Sequence, residues 1–161
     1  MTQSGMKHAA KPETQSALPP LLLIEDEPAV MALVHAVLEG HGYKVVSTES
    51  GADALRLLET GNFHGVVSDM RTPGGVDGSQ VYAWIATNRP ELASRVVFIT
   101  GDIANEETAA TLRRTGAPCV EKPFRVHDFI SVVEKTMGRA GPGSRESESR
   151  ESGSRESGSQ R

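Results

Sequence analysis

The run Leu21-Leu22-Leu23-Ile24-Glu25-Asp26-Glu27-Pro28 decides the fold. Four successive apolar residues cannot alternate between core and solvent. A strand made of them must be covered on both faces, as in a parallel sheet between two layers of helices. The run stops abruptly on three carboxylates. Pro28 then suits the first turn of a helix, where its missing N–H costs nothing. Val30, Leu33, Val34, Val37 and Leu38 follow at helical spacing as a stripe expected to face the core.

The same unit recurs along the chain. Gly40 and Gly42 end the first helix, and Tyr43-Lys44-Val45-Val46 reads as a second strand. Ser50, with Asp53 three residues on, resembles a capping box opening a helix that carries Leu55 and Leu58 on one face. Val66-Val67-Ser68-Asp69 is a third strand ending in a carboxylate. The turn-rich Thr72-Pro73-Gly74-Gly75 leads to a helix with Val81, Trp84 and Ile85, and Val96-Val97-Phe98-Ile99-Thr100 is a fourth strand. Asn105 caps a helix of small residues through Leu112, Cys119-Val120-Glu121 is a short fifth strand, and Phe129, Val132 and Val133 mark a last helix. Five strands alternating with five helices predict an α/β fold: a doubly wound, five-stranded parallel sheet with right-handed crossovers.

The chain of 161 residues supports one such domain, expected over 21–138. Residues 1–20, ending in Leu18-Pro19-Pro20, are polar and aperiodic and are expected to be a flexible N-terminal segment. Over 139–161, Arg-Glu-Ser recurs at 145, 150 and 155 among Gly and Ser, with nothing apolar to bury, and a disordered tail is expected. Cys119 is the only cysteine, so no intrachain disulfide can form. The N-terminus lacks the apolar core of a secretion signal, and no apolar run approaches the roughly 18 residues of a membrane span. A cytoplasmic protein without membrane attachment is expected. Between 21 and 137 there are ten Lys and Arg against sixteen Asp and Glu. That balance argues against direct nucleic-acid binding, which needs clustered cations to neutralise phosphates.

In doubly wound sheets, ligands bind beyond the carboxyl ends of the strands, near the switch in strand order. Glu25 and Asp26 follow the first strand here, Asp69 ends the third, Thr100 ends the fourth and Lys122 follows the fifth. Each has an ordinary reading by itself: a helix cap, a turn residue, a β-branched strand residue, a solvated charge. Gathered on one rim they read differently. Three crowded carboxylates call for a cation, and an all-oxygen donor set without His or Cys favours Mg²⁺. Lys122 supplies a mobile charge and Thr100 a hydroxyl for phosphoryl oxygens. The set suits phosphoryl transfer with Asp69 as the nucleophile, forming an aspartyl phosphate.

Four stretches in order carry a resemblance: Leu23-Ile24-Glu25-Asp26-Glu27-Pro28, Ser68-Asp69-Met70-Arg71-Thr72-Pro73 with Asp77-Gly78, Ile99-Thr100-Gly101-Asp102, and Glu121-Lys122-Pro123-Phe124. Together they resemble the receiver domains of two-component response regulators over about 21–137. The resemblance implies a flavodoxin-like strand order 2-1-3-4-5 and Asp69 as phosphoacceptor. It also implies Mg²⁺ held by Asp26, Asp69 and the Arg71 backbone carbonyl, with Glu25 acting through water. Thr100 and Lys122 would contact the phosphoryl group, and Lys122-Pro123 would be cis. Arg71, Asp102, Gly101 and Cys119 would modulate the site, with Arg71 and Asp102 influencing phosphoryl lifetime and expected to pair across the mouth.

Three departures stand out: Glu25-Asp26 in place of the commoner Asp-Asp, an extra residue at Gly74-Gly75, and Cys119 where many members carry a switch Tyr or Phe. The 116–124 run looks more like receivers of hybrid sensor kinases than like those with DNA-binding output. The implied partners are a sensor histidine kinase or histidine phosphotransfer protein upstream. Downstream, a protein would be met by the fourth helix, fifth strand and fifth helix. A receiver that stands alone, one cut from a hybrid kinase, and an interaction module that has lost the chemistry are alternatives. A haloacid dehalogenase-like phosphatase is another, disfavoured because Arg71 stands where such enzymes need a second Asp.

Overall fold

The computed structural model describes residues 18–140. Within them the elements run β1 (Leu21–Ile24), α1 (Pro28–Gly40), β2 (Val45–Thr48), α2 (Gly51–Thr60), β3 (Gly65–Asp69), α3 (Gly78–Asn88), α4 (Pro90–Ala93), β4 (Val96–Thr100), α5 (Glu106–Thr115), β5 (Cys119–Glu121) and α6 (Val126–Met137). All strand pairs are parallel and the order is β2-β1-β3-β4-β5, as the resemblance implied. The expected N-terminal segment and Arg/Glu/Ser/Gly tail lie outside the described residues, apart from 18–20 and 139–140.

Alternation along the buried strands divides the core in two. Leu21, Leu23, Val67, Val97 and Ile99 point to the side covered by α1 and α6, through Val34, Leu38, Phe129 and Val133. Leu22, Ile24, Val66 and Phe98 point to the other side, covered by Ala54 and Leu58 of α2 and Val81 and Ile85 of α3. Every residue of β1, β3 and β4 is buried, which is why these strands read as continuous apolar runs.

The structure corrects the sequence reading in three places. There are six helices, because Pro90–Ala93 forms a single turn that starts on a proline and buries Leu92. Four residues are too few to show a helical period. Strand β2 begins at Val45, leaving Tyr43 before it with a buried ring whose hydroxyl donates to the Gly138 carbonyl. Leu33 is 48% exposed. It sits about 100° round α1 from Val34, at the edge of the stripe rather than in it.

The helix starts reveal which local signals act. Ser50 accepts a hydrogen bond from the Asp53 N–H at 3.2 Å, while the Asp53 carboxylate turns to Arg56 instead of closing the box. The reciprocal box forms at Asp77 and Gln80, both bonds at 2.9 Å. Asn105 caps α5 through the N–H groups of Glu107 and Thr108. Opposite the acidic rim, His64 Nε2 meets the Met137 carbonyl at 2.6 Å, fastening α6 beside the starts of β1 and β3. That end of the sandwich is tied shut, and the carboxyl ends of the strands stay open.

Candidate phosphoryl-transfer site

Register brings the site together. Ile24 pairs with Ser68 across β1 and β3, so one further step places Glu25 beside Asp69 at the switch in strand order. Thr100 pairs with Glu121 across β4 and β5, and the Lys122 N–H bonds the Thr100 carbonyl at 2.7 Å. Lys122 is thereby fixed at the same rim. Lys122-Pro123 is cis.

The ends of these strands open into a cleft of about 300 Å³ lined by Asp26, Glu27, Asp69, Arg71, Thr100, Gly101, Asp102 and Lys122. The Asp69 carboxylate is almost wholly buried yet faces this space. Its Oδ1 accepts the Arg71 N–H at 3.1 Å and its Oδ2 meets Lys122 Nζ at 3.0 Å. Behind it lies Gly78, where a Cβ would stand 2.5 Å from the Asp69 carbonyl oxygen and 3.1 Å from Met70 Cα. Those are backbone atoms that cannot swing aside. Gly78→Ala is expected to lower unfolding stability by about 2 kcal/mol, the usual cost of overpacking. Urea unfolding checks this, and an unchanged midpoint would contradict it.

Glu25 is fully buried. Its Oε1 accepts the Glu27 N–H at 3.1 Å, and among the described residues its Oε2 has only the Lys122 ammonium, in ion-pair contact at 2.9 Å without hydrogen-bond geometry. Burial pushes the Glu25 carboxyl above its ordinary range, with Lys122 and the Glu27 N–H pulling the other way and Asp69 adding to the rise. For Lys122, burial works to lower the ammonium's pKa. The carboxylates of Glu25 and Asp69 outweigh it and hold the side chain above the usual lysine value, charged at any physiological pH. A buried carboxylate oxygen short of hydrogen bonds, beside a second strand-end carboxylate and an exposed third at Asp26, fits a hard divalent cation.

Several expectations change in detail. Glu27 was not among the sequence candidates. Its carboxylate lies 3.3 Å from Lys122 and forms, with Glu25 and Asp69, a cluster of oxygens within 4.8 Å of one another. Asp26 lines the cleft but is exposed. Thr100 is buried and its hydroxyl accepts the Asp102 N–H at 3.2 Å. Arg71 and Asp102 both line the mouth, but no ion pair joins them among the described residues. The Asp102 carboxylate instead accepts the Asn105 N–H at 3.1 Å, holding the turn before α5. In the loop after Asp69, Gly74 and Gly75 both have φ near +90° (91° and 84°), a conformation open to glycine. Cys119, half-buried beside the Phe98 side of the core, has its thiol pushed up to about 11 by burial and then by Glu121 and Asp69. It is an un-ionised packing residue at neutral pH, not a reactive thiolate.

A doubly wound domain with a lysine among carboxylates in a cleft at its strand switch has the geometry to receive a cation and a phosphoryl group, and comparison narrows the class. The family model described as the response regulator receiver domain matches residues 21–134. The chain belongs to that family. Among curated proteins it is 28% identical over 126 residues to the transcriptional regulatory protein GlrR of Escherichia coli, covering 78% of this chain and 28% of that protein. To the sensor protein GacS of Pseudomonas syringae it is 30% identical over 133 residues, covering 80% of this chain and 14% of that one. The chain thus spans about a quarter or less of these relatives, and both regulators and sensor kinases stand among them. Among solved structures, the receiver domain of the sensor histidine kinase PA1611 from Pseudomonas aeruginosa, with a magnesium ion in its active-site cleft, superposes with a TM-score of 0.67. The identity is 22%, covering 76% of this chain and 99% of that one. A CheY-like receiver from Methanospirillum hungatei gives the same TM-score at 21% identity, covering 75% and 94%. Among the described residues, no helix is long and apolar enough to cross a membrane.

Proposed function

We propose that this chain accepts a phosphoryl group from a phosphohistidine onto Asp69, with Mg²⁺ as cofactor, and relays the event by changing its protein contacts. The observation that carries this is the Asp69 carboxylate, held at the end of β3 by the Arg71 N–H and Lys122 and aimed into the cleft. An Asp69 oxygen forms the bond to phosphorus as the phosphorus–nitrogen bond to the donor imidazole breaks, and the imidazole leaves with the electron pair. Asp26, Asp69 and the Arg71 carbonyl would hold the metal, with Glu25 acting through water. When bound, the metal supplies the charge that lets an anionic donor approach these carboxylates. Lys122 and Thr100 then bind two phosphoryl oxygens, the ammonium by charge and the hydroxyl as a donor, since the bond it accepts from the Asp102 N–H does not use its proton. Gly101 leaves room at the mouth, while Arg71 and Asp102 act separately on access of water.

The new charge draws Thr100 and the turn to Asn105 inward, biasing a two-state equilibrium felt by α5. With Cys119 in place of a large ring, the signal runs through that turn and not through a swinging aromatic. The partners in this reading are a sensor histidine kinase or phosphotransfer protein upstream, and downstream a protein that meets α5, β5 and α6. A cytoplasmic setting belongs to it, in keeping with a lone thiol. The test is intact mass after incubation with a small phosphodonor such as acetyl phosphate. One phosphoryl group is expected with Mg²⁺ and none after EDTA. A protein that never labels, or labels equally without metal, contradicts the proposal.

A further inference from the structure

Glu27 has no part in the scheme above, yet it touches the residue on which the scheme turns. The Lys122 ammonium meets three carboxylates: Glu25 at 2.9 Å, Asp69 at 3.0 Å and Glu27 at 3.3 Å. The first two side chains are 0% and 9% exposed, whereas that of Glu27 is 61% exposed. Lys122 therefore has two inner partners and one outer partner. A divalent cation entering the cleft needs the same Asp69 carboxylate that Lys122 occupies, and two cations side by side repel. The ammonium has to yield an inner contact before Asp69 can serve both metal and phosphorus.

The outer partner is already in place to receive it. The Glu27 N–H is bonded to Glu25 Oε1, so the backbone that carries the Glu27 carboxylate is tied to the inner cluster. Glu27 lines the open cleft together with Asp69 and Lys122. We propose that Glu27 is a positioning residue that takes the Lys122 ammonium when the cleft fills with metal, keeping it at the mouth where the phosphoryl group arrives. This rests on the phosphoacceptor reading of the cleft and adds to it a place for Lys122 between its resting and phosphoryl-bound positions.

The test is a double-mutant cycle on Mg²⁺ affinity, measured by calorimetry on the full chain, with Glu27→Gln made alone and together with Lys122→Met. With Lys122 present, Glu27→Gln is expected to weaken Mg²⁺ binding about fivefold, because the ammonium then stays between Glu25 and Asp69 and opposes the ion. With methionine at 122 the same change should cost less than about twofold, the residue of through-space charge. Equal factors in both backgrounds, or wild-type affinity in Glu27→Gln, would overturn the proposal. Should the Lys122 variant not fold, Asp102→Asn decides, since it removes one charge from the same cleft without touching Lys122. At about 0.5 M salt, where exposed charges are screened, Glu27→Gln must remain weaker than Asp102→Asn. Matching affinities would sink the idea. A wild-type chain that binds no Mg²⁺ and takes no phosphoryl group would defeat the functional reading itself, a result distinct from unchanged binding in the Glu27 variant.

Discussion

Asp69→Asn is expected to take up no phosphoryl group from acetyl phosphate under conditions that label the wild type fully. The amide keeps the shape of the side chain but is not a nucleophile toward phosphorus. Its fold should survive: three carboxylates converge on one ammonium, and neutralising one relieves repulsion among the others. Urea stability without metal is therefore expected at or above the wild-type value, while Mg²⁺ affinity falls about tenfold, equivalent to about 1.4 kcal/mol. A variant that still labels, or that unfolds outright, would show that Asp69 has a different role.

Lys122→Ala should produce the largest loss of stability of any change at the rim. It removes the ion-pair partner that Glu25 Oε2 has among the described residues, from a carboxylate with no exposure to water. Breaking a buried pair from one side costs about 3 kcal/mol. The cost should depend on pH in a defined direction. Burial already raises the Glu25 carboxyl above its ordinary 4.5, and losing the ammonium raises it further. A carboxyl whose folded value exceeds its unfolded one stabilises the fold below the unfolded value and loses that contribution as pH rises through the folded one. The deficit of the variant against the wild type should therefore shrink as pH falls toward 4.5. The wild-type Lys122 contribution behaves in the alkaline range: present below the ordinary 10.5 and lost as pH climbs past the raised folded value. Urea midpoints at neutral pH and near pH 5 check this, and a pH-independent deficit would contradict it. Phosphorylation should also slow by about a hundredfold, the usual cost of one lost charge-stabilising donor.

A contrast between local and distant signals explains what could be read from the sequence. Asp69, Thr100 and Lys122 were legible because each stands where a short apolar run meets a polar residue, and parallel strands deliver such positions to one rim. Glu27 was not, because before Pro28 it reads as the acid of a helix start. Its partner lies 95 residues away, and only the pairing of β4 with β5 brings Lys122 within reach. A lysine facing two acids, Glu25 and Glu27, on alternate residues of one turn was the available hint. No Arg71–Asp102 ion pair is formed among the described residues, and the Asp102 carboxylate accepts the backbone N–H of Asn105, a local bond that the residue types alone did not announce. Tyr43 and His64, which hold the far end of α6, gave no local sign of their role because their acceptors are backbone carbonyls.

Borohydride reduces an acyl phosphate to an alcohol, turning a phosphorylated aspartate into homoserine. Applied to the full chain immediately after labelling and followed by peptide mass spectrometry, it locates the acceptor. The expected result is homoserine at position 69 and nowhere else. Homoserine at position 26, or a phosphate that survives reduction on a hydroxyl or imidazole, would contradict the account.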